Sequence, residues 1–200
     1  MRVSSLCLPF ARANNKEARM KNTTLALGLL LAATGSSAAE IGGQGGSHFW
    51  TARINSDRTT PGVQAALEYV HGHQQTHLLD ASLGYGFSLG ALQVAPRIGA
   101  FWADVKTTST SSRGMNGGIR LMAPLPRAEA TWLYLDYSLS PDFANHNLHA
   151  LHQLAAGVYY QPAKWLSLSS GYRYLSVNGD YGHADQSLMD GLFIGAAVRF

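Results

Sequence analysis

Cysteine is almost missing from this 200-residue chain, and the one present, Cys7, lies near the N-terminus. The rest of the chain therefore has no disulfide framework, thiol chemistry or Cys-based metal centre. Charge is scarce as well. Asp, Glu, Lys and Arg make up 14% of the residues, and after residue 39 the only lysines are Lys106 and Lys164. A soluble domain carries about 25% charged residues, so much of this surface is not composed to face water. No apolar run reaches the roughly 20 residues of a membrane-spanning helix. Any membrane crossing must then be made by strands. The glycine-rich stretch 42–46 is followed by no helix, which excludes a phosphate-binding loop.

The formal net charge of +3 does not carry over to the folded part. Five of the 15 basic and one of the 12 acidic residues lie in 1–39, leaving ten against eleven. Nucleic-acid binding has no support from that balance. Residues 20–39 read as a secretory signal. Met20-Lys21 opens a positive region, 25–33 is almost wholly apolar, and Ser37-Ala38-Ala39 precedes Glu40, so cleavage is expected after Ala39. Residues 1–19 read as an upstream extension with Met20 as the initiator. Cys7 has no apolar run before it, which argues against a lipoprotein anchor. Residues 40–200 then fit one domain.

What the chain does have is alternation at period two, repeated along its length. Val63, Ala65, Leu67 and Tyr69 oppose Gln64, Ala66 and Glu68; Leu79 through Leu89 oppose Asp80, Ser82, Gly84, Gly86 and Ser88. Similar two-faced segments cover 91–104, 113–123, 129–140, 152–161 and 165–176, and the chain ends on Leu192, Ile194, Ala196, Val198 and Phe200 along one face. These eight, with a further strand over 47–55, require an even total for a closed barrel with both ends on one side. Either 40–46 supplies a tenth strand, or the N-terminal piece stays outside a barrel of eight; ten is preferred. Short connections (88–91, 123–127, 161–164) alternate with longer ones (71–76, 106–112, 141–149, 178–188), as the short periplasmic turns and longer outer loops of bacterial barrels do. Trp102, Trp132 and Trp165 stand near strand ends, where an aromatic girdle belongs. The fold class is therefore all-β, a transmembrane antiparallel β-barrel of 8–10 strands in the outer membrane. A soluble lipocalin-type barrel would need a polar exterior, and second faces rich in Gly, Ser and Ala do not provide one.

The inward faces carry Glu68, Asp80, Arg97, Arg120, Asp136, Arg173 and Arg199. In a narrow lumen such charges either pair into a plug-like network or line a selective constriction. His71, His73 and His77 share one outer connection, and His146, His149 and His152 are spaced by three near another. A metal site at His71, His73, His146 and His149 is conceivable, but no cysteine or aligned carboxylate joins them, so no metal and no cofactor is expected. Nothing in the spacing aligns a Ser/His/acid group or paired carboxylates. The expectation is a non-enzymatic barrel, structural or a narrow porin-like channel, with a lipid-modifying enzyme on a small barrel as the alternative. Its partners would be outer-membrane lipids and the barrel-assembly machinery, which would read the C-terminal strand as an insertion signal.

Several stretches together resemble the YfaZ family of Gram-negative outer-membrane proteins. They are Leu135-Asp-Tyr-Ser-Leu-Ser-Pro-Asp142, Ala155-Ala-Gly-Val158, Ser170-Gly-Tyr-Arg-Tyr-Leu175 and Asp190-Gly-Leu-Phe-Ile-Gly195 running to Phe200, with a looser match at Leu83-Gly-Tyr-Gly-Phe87. The likeness is strong from about residue 129 and loose before it. It implies an outer-membrane barrel and no defined activity. Where the family has an acidic, Asp-rich loop this chain has His71-Gly-His-Gln-Gln-Thr76, so no ion-linked role of that loop carries over.

Overall fold

The computed structural model describes residues 39–72, 76–105, 110–146, 150–178 and 186–200. Residues 1–38, with Cys7 among them, and His73, His149 and His183 lie outside the described residues, whereas Ala39, the last residue before the expected cleavage point, already belongs to the first strand. The described chain is a meander of antiparallel strands: β1 (Ala39–Gly46), β2 (Trp50–Ser56), β3 (Gly62–His71), β4 (His77–Leu89), β5 (Leu92–Val105), β6 (Thr110–Pro124), β7 (Thr131–Ser140), β8 (Asn145–His146), β9 (Ala150–Ala163), β10 (Leu166–Asn178) and β11 (Gln186–Arg199). Each long strand pairs with the next in sequence, and β5–β6 and β1–β11 complete the ring. The two-residue β8 only extends the edge of β6, through Arg113↔His146 and Gly114↔Asn145. Ten strands therefore close the barrel. The tenth is β1, registered Glu40↔Arg199 to Gly46↔Phe193 against the last strand. Ala39 and Phe200 exchange two backbone hydrogen bonds of 2.9 Å at the seam.

One end of the barrel holds the seam and the tight turns. Leu89↔Leu92 is the last pair of β4 and β5, and the turn between them is made by Gly90 at φ 62° with Ala91. A side chain at that φ costs energy that glycine avoids. The described ends of the longer connections, residues 141–144 after β7 among them, lie at the other, loop end.

Alternation gives the wall two unlike faces. Ile41, Val63, Leu83, Ile98, Met115, Leu133, Leu168, Leu192 and Ile194 are all exposed on the outside. This apolar exterior is the reverse of a soluble barrel and far exceeds the scattered apolar residues of a soluble surface. Polar and charged residues are the buried ones, including Glu40, Asn55, Asp80, Asn116, Arg120, Gln153 and Arg173.

The lumen is layered along its axis. At the loop end Phe49, Val70, Leu78, Phe101, Leu151, Leu175, Leu188, Met189 and Phe193 form one buried apolar cluster. Phe49 reaches it from the β1–β2 connection, which turns inward through a 2.9 Å bond from Gly46 N–H to the Phe49 carbonyl. Trp102 and Trp165 are exposed on the outside, but Trp132 corrects the girdle. Its ring packs on buried Tyr159, with centroids 5.8 Å apart, because its position on β7 shares the inward parity of Tyr134 and Asp136. Trp50, 48% exposed at the loop end of β2, stands outside instead.

Gly157 and Gly171 face each other across β9 and β10. A Cβ at 157 would lie 2.2 Å from the Ser170 carbonyl oxygen, and one at 171 would lie 2.1 Å from that of Ala156. Backbone cannot yield as a side-chain tip can. Gly171→Val is therefore expected to destabilise the barrel by about 1–3 kcal/mol through overpacking. Gly45→Ala, where nothing lies within 4 Å of the new Cβ, is the matched control. Denaturant titration of both variants in lipid vesicles checks the difference.

Candidate functional site

Register places the charges before any side chain moves. Arg53 on β2, Glu68 on β3 and Asp80 on β4 stand opposite one another in a single cross-strand row. On the facing wall Arg120 on β6, Asp136 on β7, Ala155 on β9 and Arg173 on β10 make a second row. Ala155 is small, and long side chains from both rows meet in the space it leaves. Arg173 crosses the lumen to hold Glu68 with two bonds of 2.5 and 2.9 Å. Arg53 reaches the same carboxylate at 3.1 Å. Asp136 is likewise held by two guanidiniums, Arg97 at 2.5 Å and Arg120 at 2.8 Å. Asp80 accepts from the Asn116 amide instead. Bidentate and doubly charged bonds of this kind are the strong ones, and they fix the facing walls relative to each other.

Nearer the turn end, Glu40 accepts from Asn55 at 2.9 Å, from Tyr159 at 3.2 Å and from Ser167. Arg58 Nε lies 3.7 Å from the same carboxylate. Arg58 belongs to the β2–β3 connection, which folds into the barrel mouth. Burial, with the Arg53 and Arg120 charges beside it, pulls its guanidinium below the usual range, while leaving it charged at neutral pH. The neighbouring Asp57 pairs with Arg199, and Gln93 donates to the Thr59 carbonyl at 2.6 Å, so this connection is tied to the wall on both sides.

Six of the seven charges expected in the lumen, Glu68, Asp80, Arg97, Arg120, Asp136 and Arg173, line one central chamber. Arg199 lies apart, with Asp57 at the turn end. Sequence reading missed Arg53, Glu40, Asp57 and Arg58. Arg53 had a signal, because Thr51, Arg53 and Asn55 share one parity in a recognised strand. Asp57 and Arg58 had none, since a loop has no alternation to read. Free space in the chamber is small. Water centres can occupy about 30 Å³ of it, and about 20 Å³ of a second void beside Glu40. A water needs roughly 10–15 Å³ by that measure, so these spaces admit one or two waters each.

The histidines divide. His71 and His77 face each other on the outer wall, their Nδ1 atoms 3.3 Å apart, and His77 Nδ1 lies 2.6 Å from the Tyr69 hydroxyl. His152 meets Tyr137 at 3.2 Å. Of the four metal candidates, His73 and His149 fall outside the described residues, and His146 is placed by its backbone pairing in β8 opposite Arg113. The described residues bring no three His, Cys, Asp or Glu side chains together as a metal would need.

A family model described as YfaZ precursor matches residues 18–200. The chain belongs to the YfaZ family. Outer membrane protein YfaZ of Escherichia coli (strain K12) is 23% identical over 184 residues, covering 90% of this chain and 100% of that protein. Among solved structures, the NanC porin resembles the chain at 12% identity with a TM-score of 0.41, over 82% of this chain and 99% of the porin. The N-terminal β-barrel domain of Pseudomonas aeruginosa OprF resembles it at 13% identity and a TM-score of 0.34, over 82% and 96%. This YfaZ-family chain is an outer-membrane β-barrel of ten strands. In bacterial outer-membrane barrels the tight turns face the periplasm and the longer loops the exterior.

Proposed function

We propose that this protein is a non-enzymatic, plugged barrel whose role is structural. The observation that carries this reading is the filled lumen: an apolar cluster at the loop end over a layer in which Glu68 and Asp136 are each locked by two arginines. No lipid-modifying chemistry is assigned, because Glu68, Asp80 and Asp136 are occupied by guanidiniums and an amide, while Glu40 and the Ser167 and Tyr159 hydroxyls bonded to it are buried inside the barrel, away from lipid. The narrow-channel reading draws on the ten strands, which enclose more room than eight.

Planar bilayers separate the two. The wild-type protein is expected to give no unitary conductance steps up to voltages at which the bilayer itself fails. A Phe101→Ser/Phe193→Ser double variant, with polar atoms in the apolar layer, is expected to show intermittent steps. Discrete conductance from the wild type would sink the plugged reading and favour the channel.

Outer-membrane lipids are the proposed partner of the exposed apolar wall. The assembly machinery is the proposed partner of β11 and the residue after it, where Leu192, Ile194, Ala196, Val198 and the terminal Phe200 are all exposed. Residues 20–39 are proposed to act as the export signal. If Phe200 is read during insertion, Phe200→Ser lowers the folded outer-membrane level in cells several-fold, while refolding of the purified protein into detergent proceeds as before. An equal loss in both settings would assign Phe200 to stability instead.

A further inference from the structure

The central chamber is out of electrical balance. Arg53, Arg58, Arg97, Arg120 and Arg173 line it, against the carboxylates of Glu68, Asp80 and Asp136. Glu68 and Asp136 are each taken by two of these arginines, and Asp80 is bonded to Asn116. Arg58 donates through Nη2 to Asn55 Oδ1 at 2.7 Å, but its one carboxylate among the described residues is Glu40, 3.7 Å from Nε, and Glu40 already accepts three shorter hydrogen bonds. Buried charge is tolerated when paired, and even with Glu40 set against Arg58 the five arginines exceed the carboxylates by one.

The hydrogen-bond inventory points to the same place. Among the described residues, Arg53 Nε, Arg58 Nε and Gln153 Nε2 are buried nitrogens with no acceptor, and all three side chains line this chamber. Gln153 is 8% exposed, and its carbonyl end accepts from Ser138 at 3.1 Å, which leaves the amide nitrogen as the free end. Three orphaned donors in one chamber call for an acceptor that the chain does not provide.

We propose that the chamber binds one small monovalent inorganic anion of halide size. A water molecule would accept from these donors, but it would bring two hydrogens of its own and leave the excess charge untouched. An anion among these donors accepts hydrogen bonds without bringing any of its own and offsets that charge. The space is small: about 30 Å³ for water centres, enough for one or two waters, accommodates a single ion of chloride size and not an anion as large as gluconate. Arg53 and Arg58 also line the void beside Glu40, nearer the turn end.

The test uses the full barrel folded in detergent, melted in sodium chloride and in sodium gluconate at equal ionic strength. Gluconate is too large for the chamber. The Tm is expected to rise with the logarithm of chloride concentration, as for any ligand bound only by the folded state, and to stay flat in gluconate. Gln153→Glu puts a carboxylate where the anion would sit, so the chloride dependence is expected to disappear. Crystals grown in sodium bromide should show an anomalous peak within hydrogen-bond distance of Arg53 Nε and Arg58 Nε. That measurement stands even if the Gln153 variant fails to fold. Identical melting in the two salts together with no anomalous peak in the chamber, or a water in its place, would overturn the proposal.

Discussion

Glu68→Gln is expected to cost the barrel about 3–5 kcal/mol, the loss typical of breaking a buried ion pair by removing one partner. The side chain keeps its size, so packing is nearly unchanged and the effect is electrostatic. Glu68 is the only carboxylate within ion-pairing distance of both Arg53 and Arg173 among the described residues. With an amide in its place, Arg173 retains only the Gln44 carbonyl at 3.3 Å, and Arg53 already has one nitrogen without an acceptor. Two guanidiniums would remain enclosed where there is room for only one or two waters. The measurement is denaturant titration in lipid vesicles, read alongside the gel mobility of unheated protein. Replacing Arg53, Glu68 and Arg173 together by methionine removes the charges as a set and is expected to cost far less, because whole buried ionic groups often exchange for apolar ones with little loss. A Glu68→Gln cost below about 1 kcal/mol, within the range of an exposed pair, would mean that the lumen is wetter than its geometry implies.

Much of the barrel was legible because period-two alternation is a local property. Leu79 to Leu89 against Asp80 to Ser88 reads as a two-faced strand without knowledge of any neighbour. The strand total was harder. β1 is composed largely of glycine, with no apolar face to alternate, and only the requirement that both ends meet supplied it. Its glycines are explained by the structure: a Cβ at Gly42 would lie 2.3 Å from the Ala197 side chain across the seam. Close approach at the seam favours small residues, and small residues erase the alternation.

The lumen was legible as a set of charges but not as a set of layers. Parity places Glu68, Asp136 and Arg173 inside, yet it says nothing about which strand faces which across the barrel. The Arg173–Glu68 pair joins residues 105 apart in sequence, and no spacing rule connects them. The apolar layer was missed for a related reason. Val70, Leu78, Phe101, Leu175 and Phe193 all sit at inward parity, and each looks like a local lapse in an otherwise small or polar face. Their common height near the loop end appears only after closure. Trp132 stands near a strand end, yet its parity with Tyr134 and Asp136 turns it inward onto Tyr159.

The exterior carries the second large prediction. Ile98 lies at the middle of β5, 65% exposed. With hydrocarbon around it, Ile98→Arg is expected to destabilise the barrel by about 2–4 kcal/mol, the cost of a cation at the bilayer midplane. Leu89, 60% exposed at the last position of β4 beside the Gly90 turn, is the counterpart at the membrane edge. Leu89→Arg is expected to cost about 0–1 kcal/mol, because its guanidinium reaches water and headgroups. Both substitutions remove a similar apolar side chain from a similarly exposed site on neighbouring strands, so backbone and packing terms largely cancel between them. What remains is depth. Guanidinium chloride titration of the two variants in phosphatidylcholine vesicles measures it directly. An equal small cost at both positions would describe an outer face in contact with water, and the membrane belt drawn from Ile41 to Ile194 would then have to be abandoned.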